Sequence, residues 1–166
     1  DKKINEIAEE TKITWEGLKS IGGITPKVLV EDVVYFGVRD TEEPEDYITD
    51  KIGVKNYKVE EVRYRGIKTC VAESLNRLKN CEHIYISFDV DSLDCDLISK
   101  GTGTPVSKGF DQFEIIEIIN QLIDSGKVSC FEVVEVNPTL DEKGNFMAET
   151  AFDVLTSVTK KIESLN

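Results

Sequence analysis

The chain has 166 residues, 40% of them hydrophobic, enough for one domain with a substantial core and without obvious room for two. Its 32 acidic residues outweigh 20 basic ones, and the formal charge of −12 argues against nucleic acid or an anionic membrane surface as partner. Cations are the natural partners that remain.

Four cysteines, Cys70, Cys81, Cys95 and Cys130, form no CxxC pair, so neither a zinc knuckle nor a redox motif is indicated, and they read as reduced thiols of a cytoplasmic protein. No apolar run approaches the roughly 18 residues of a membrane span, and the N-terminal stretch lacks the pattern of a signal peptide. The chain opens at Asp1 without a methionine, inside the helix-like stretch DKKINEIAEETKITWEGL, as a cut chain would.

In chain order, short apolar runs alternate with stretches of helical period. The run VVYFGV (residues 33–38) predicts a first strand and the weaker YKVEEV (57–62) a second. Ile67, Val71, Leu75 and Leu78 then form one helical stripe. HIYISF (83–88) predicts a third strand. In GFDQFEII, Asp111 and Glu114 are placed as a capping box, Phe110 and Ile115 as a hydrophobic staple, and Gly126 as the stop of the helix. VSCFEVVEV (128–136) predicts a fourth strand, and Ala151, Val154, Leu155, Val158 and Ile162 make a final stripe. The continuity of the strand runs predicts cover on both faces. Alternating strands and helices predict an α/β fold with a mostly parallel sheet and right-handed crossovers.

Ligands of such sheets bind beyond the carboxyl ends of the strands. There the chain places RDTEEPE after the first strand, DVDSLD after the third, and Glu135 with NPTLDE after the fourth. Three loops thus deliver acids to one edge, while the second strand runs into RYRG. Asp89 and Asp91, two apart at a strand end, point to the same face. They fit a solvated turn or helix cap, but equally a site for a hard cation, which would remove their mutual repulsion. A phosphotransferase aspartate motif fits poorly, because Leu93 stands where a threonine or valine is wanted. GTGTP (101–105) lacks the lysine of a phosphate-binding loop and reads alone as a tight turn. Glu135 is either the first strand residue to reach solvent or, in a cleft, a receptor for a cationic group. His83, the sole histidine, precedes its strand and leaves Cys95 without a histidine partner, which argues against triad chemistry.

Taken together, SFDVDSLD, GTGTPVSKG and EVVEVNPTLD resemble the ureohydrolase family, arginases above all. VVYFGVRDTEEPEDYITDKIGVKNYKVEEV is similar to the arginase strand and loop that recognise the amino-acid end of the substrate. The resemblance implies a three-layer αβα domain with a mostly parallel sheet, and manganese-dependent hydrolysis of the guanidinium group of arginine to urea and ornithine. It implies that Asp89 bridges two manganese ions and Asp91 binds one, that Glu135 holds the guanidinium, that Asp40, Glu42 and Glu45 lie near the α-amino group, and that Thr104 lies close to the site. It gives Arg39 the task of bracing the loop, and it implies trimers or hexamers.

Two departures stand out. CDLISKG replaces a proline-containing loop one residue shorter, which shifts the placement of Thr104. The family's G-G-D-H and D-A-H-x-D metal motifs are absent. The expectation is therefore an incomplete arginase-like domain: residues 1–166 as the C-terminal part of one catalytic domain, carrying part of the dimetal site. The alternatives are agmatinase or formimidoylglutamase, which share the metal core, or a non-catalytic module that kept the fold and lost the site.

Overall fold

A computed structural model describes residues 7–165. Helix α1 (Glu9–Ser20) begins inside the stretch expected to be helical, whose residues 1–6 lie outside the described residues. It is followed by β1 (Val34–Phe36), α2 (Glu43–Ile52), β2 (Lys55–Tyr57), α3 (Val59–Arg65), α4 (Ile67–Arg77), β3 (Ile84–Asp89), α5 (Gln112–Ile123), β4 (Val128–Val134) and α6 (Phe146–Glu163). All strand pairing among these elements is parallel, β1 with β2 and β3 with β4. The expected sheet is thus present as two separate two-stranded pieces.

The second strand differs from expectation. Only Tyr57 of YKVEEV belongs to β2, and the rest turns into α3. Val59 and Val62 are both buried, and a spacing of three places them on one side of a helix but on opposite faces of a strand.

Helix α5 forms as its sequence dictates. The amides of Phe113 and Glu114 each donate to Oδ1 of Asp111 at 2.8 Å, and the Asp111 amide donates to Oε2 of Glu114 at 2.8 Å, so the capping box is complete. Phe110 and Ile115 are both buried. Past the end of the helix Gly126, with φ of 70°, donates its N–H to the Ile123 carbonyl. Five residues of α5 (Ile115, Ile118, Ile119, Leu122 and Ile123) enter the core, each stabilising by about 1.5–3 kcal/mol when fully buried. They pack with Val71 of α4, Phe88 of β3 and Val154 and Val158 of α6. Leu155 and Ile162, expected in the α6 stripe, lie instead on its 40%-exposed side.

Among the described residues only one face of β3 is covered, as in part of a three-layer αβα arginase-like domain. Along β3, Ile84 and Phe88 are buried while Tyr85 and Ser87 are exposed. Helices α4, α5 and α6 pack on one another and share a core with the face of Ile86 and Phe88. The face bearing Tyr85 and Ser87 is left to polar contacts, in which both hydroxyls donate to Oε1 of Glu132 on β4.

Candidate active site

At its carboxyl end β3 breaks into a single 3-10 turn, Val90–Ser92. Asp89 caps that turn, its Oδ1 accepting the Asp91 N–H at 2.8 Å. The cap reading of Asp89 is therefore realised, but the bond leaves the second carboxylate oxygen uncommitted to it. Burial, opposed by that amide bond and reinforced by the charges of Asp91 and Glu135, raises the Asp89 carboxyl above its ordinary pKa. Partial burial and two like charges both disfavour its ionised form.

Glu135 follows β4 with φ of 64°, a left-handed conformation uncommon for a residue with a side chain. Such backbone is tolerated where the surrounding structure holds it. Here the amide of Asn137 donates to the Gly101 carbonyl at 2.8 Å and ties the loop after β4 to the glycine-threonine loop. A Cβ placed at Gly103 would lie 3.8 Å from Oε2 of Glu135, so the two loops meet at this carboxylate.

Within that loop the residue that reaches the acids is Thr102. It is buried, and its hydroxyl donates to Oδ1 of Asp91. Thr104, the threonine expected close to the site, is exposed and lines the cleft beside Asp89 and Asp91. The signal for Thr102 was present in the paired threonines of GTGTP, but sequence alone does not say which of them turns inward.

Arg39, expected to brace the loop of Asp40, Glu42 and Glu45, instead holds the loop after β3. Its guanidinium donates to four carbonyls, those of Gly37 (3.2 Å), Leu93 (2.9 Å), Val106 (2.6 Å) and Ser107 (3.1 Å). Gly109 packs so close that a Cβ would approach the Leu93 carbonyl carbon to 2.4 Å and Nη2 of Arg39 to 2.6 Å, so only glycine fits.

Asp40 lines the same cleft as Asp89, Asp91 and Thr104, which brings the ends of β1 and β3 to one rim. Glu42 and Glu45 stand further out on exposed surface at the start of α2. The Glu45 carboxylate accepts the Glu42 N–H at 2.9 Å and thereby caps that helix. His83 is exposed, and the buried Cys95 has its sulfur 3.8 Å from the Ser107 hydroxyl. No histidine is available to activate it.

Asp89 and Asp91 are hard oxygen donors of the kind that suits manganese or magnesium. Among the described residues no group of three or more His, Cys, Asp or Glu side chains converges as a metal cage. The donor chemistry fits a divalent ion, and the donor number is that of part of a site.

The model of the Arginase family matches residues 19–160. The arginase of Bacillus subtilis (strain 168) is 34% identical over 155 residues, covering 93% of this chain and 52% of its own length. The crystal structure of Helicobacter pylori arginase superposes with a TM-score of 0.85 at 26% identity, covering 94% of this chain and 53% of that one. The formimidoylglutamase of Bacillus subtilis shares the fold, with a TM-score of 0.72 at 24% identity over 80% of this chain and 42% of its own. The chain spans about half the length of the arginases it matches.

Proposed function

We propose that this chain, which belongs to the arginase family, is the C-terminal part of a single catalytic domain that hydrolyses L-arginine to urea and ornithine. The observation that carries the reading is the junction of three loops at Asp89, Asp91 and Glu135, with the Thr102 hydroxyl on Asp91. In this reading Asp89 and Asp91 hold manganese together with ligands from the rest of the domain. When bound, manganese supplies positive charge that lowers the pKa of water and stabilises negative charge developing on the substrate.

The chain's own residues do the positioning. Thr102 fixes the rotamer of Asp91, and the Asp91 amide fixes that of Asp89. Glu135 receives the guanidinium through charge-assisted hydrogen bonds and orients its carbon toward the two aspartates. Water adds at that carbon, the bond to the ornithine nitrogen breaks, and that nitrogen leaves with a proton. Asp40 and Glu42 attract the α-ammonium at the other end of the substrate. Glu45 supports them by capping α2, which carries the loop. Thr104, on the cleft wall, contacts the substrate between these two ends.

An acid-lined rim after β1 favours a substrate that carries a free amino group at the end away from the guanidinium, as arginine does. The test is urea release from arginine, with added manganese, by the longest natural polypeptide that carries these residues. Release that is lost on Asp89→Asn supports the reading. A folded, manganese-loaded protein that releases no urea from arginine overturns it.

A further inference from the structure

Thr102 is carried by the CDLISKG stretch, residues 95–101, which is one residue longer than the proline-containing loop usual in arginases. The inner side of this loop is nonetheless packed, with Ile98, Ser99, Gly101 and Thr102 all buried. Its first half closes on itself, the Ile98 amide donating to the Asp94 carbonyl at 2.9 Å. Its second half is held from across the site, by the loop between β4 and α6.

There Asp141 uses both carboxylate oxygens. Oδ1 accepts the Lys143 N–H at 2.8 Å, and Oδ2 accepts the Met147 N–H and the Ser99 hydroxyl, each at 2.8 Å. Asn145, which precedes α6, makes no side-chain cap bond, so Asp141 serves the helix in its place, with its negative charge at the end that the helix dipole favours. Burial opposes that charge, but the three donors outweigh it and keep the carboxyl below its ordinary pKa. Lys143 adds a second grip, its ammonium donating to the Ile98 carbonyl at 2.7 Å. The fit is close: a Cβ at Gly101 would come within 2.8 Å of Oδ2 of Asp141 and 2.6 Å of the Met147 Cβ, so only glycine passes.

Gly101 is where this clamp meets the site. Its carbonyl accepts the Asn137 amide at 2.8 Å, in the loop that Glu135 opens, and the next residue is Thr102, whose hydroxyl reaches Asp91. A displacement of Gly101 is therefore passed to both Asp91 and the loop of Glu135. We propose that Asp141 is a positioning residue for the site: by gripping Ser99 it sets the lengthened loop in the register that brings Thr102 to Asp91. The proposal deepens the catalytic reading, and it rests on that reading only where Asp91 is taken as a metal ligand.

The test uses the complete enzyme and two readouts. Asp141→Asn keeps the shape but only one acceptor oxygen, so either the Met147 and Ser99 donors or the Lys143 amide lose their partner. In the metal-free protein, Thr102→Val should lower the urea midpoint of the Asp141→Asn variant by less than about half of the shift it causes in the unsubstituted protein, because the bond it removes is already loosened. Additive shifts overturn the proposal. In manganese titration by calorimetry, Asp141→Asn should raise the dissociation constant about tenfold, and Ser99→Ala should raise it in the same direction by less. Val154→Ala, in the core of α6, is the control: its urea midpoint should fall with manganese affinity unchanged. Unchanged affinity in Asp141→Asn, or an equal loss in Val154→Ala, reduces Asp141 to a cap of α6 and overturns the proposal. Where Asp141→Asn does not fold, Ser99→Ala takes its place in both readouts. An unsubstituted enzyme that binds no manganese overturns the catalytic reading instead, and the unfolding cycle alone then decides whether Asp141 sets Thr102.

Discussion

Thr102 and Asp91 are joined by a hydrogen bond in which the buried hydroxyl donates to the carboxylate, linking the glycine-threonine loop to the turn after β3. The bond makes the orientation of Asp91 depend on a residue eleven positions away. Thr102→Val keeps the shape and removes the donor. The 166-residue chain should lose about 1–2 kcal/mol, read as a lower urea midpoint at unchanged slope, because a hydrogen bond to a charged group is lost. Thr104→Val, at an exposed position, should cost less than half a kcal/mol.

Glu135→Gln removes a negative charge from the junction without removing either aspartate. In the complete enzyme kcat should fall by at least ten- to a hundredfold, the equivalent of about 1.5–3 kcal/mol for a charge-assisted bond, while manganese content stays unchanged. Steady-state kinetics with metal analysis checks it, and near-normal turnover would move the guanidinium site elsewhere.

Glu42 concerns the other end of the substrate. Glu42→Ala in the complete enzyme should raise KM for arginine with a smaller fall in kcat, since the contact is far from the reacting carbon and similar in ground and transition states. Agmatine lacks the α-carboxylate but keeps the amine that Glu42 faces, so its KM should rise in the same direction. Glu45→Ala should act differently, by loosening α2, and Glu45→Gln should restore the cap and most of the lost activity.

The Arg63–Glu114 pair ties α3 to α5, with Nη2 of Arg63 2.7 Å from Oε2 of Glu114. Burial works against the Glu114 carboxylate, but the bonds from Arg63 and the Asp111 amide outweigh it and hold its pKa below the ordinary 4.5. A depressed carboxylate contributes stability that is present above its unfolded pKa and lost as the pH falls through the folded one. Glu114→Gln should therefore cost about 1 kcal/mol at pH 7, a modest figure because Arg63 is half exposed, and the difference from wild type should close below pH 4.5. Urea unfolding at a series of pH values measures it.

The parts of this structure that announce themselves in sequence are those with local signals. The capping box of Asp111 and Glu114 and the stripe of Val71 and Leu78 are written in neighbouring residues, and so are the acids that end β1, β3 and β4. What sequence concealed depends on distant partners. YKVEEV is too short for periodicity to separate a strand from a helix, and the burial of Val59 and Val62 decided for α3. Continuous apolar runs suggest two covered faces, and among the described residues α4, α5 and α6 cover the one that bears Ile86 and Phe88. Nor does any local signal tell which of two threonines faces Asp91, or that Glu135 adopts a left-handed backbone.

The most direct measurement is manganese titration of the 166-residue chain by calorimetry, with Asp89→Asn as control. Asp89 and Asp91 alone should leave the ion mostly hydrated, so no micromolar binding is expected, and the control should match the wild-type chain. Micromolar or tighter binding that Asp89→Asn abolishes would contradict the account, because the chain would then hold a complete metal site of its own.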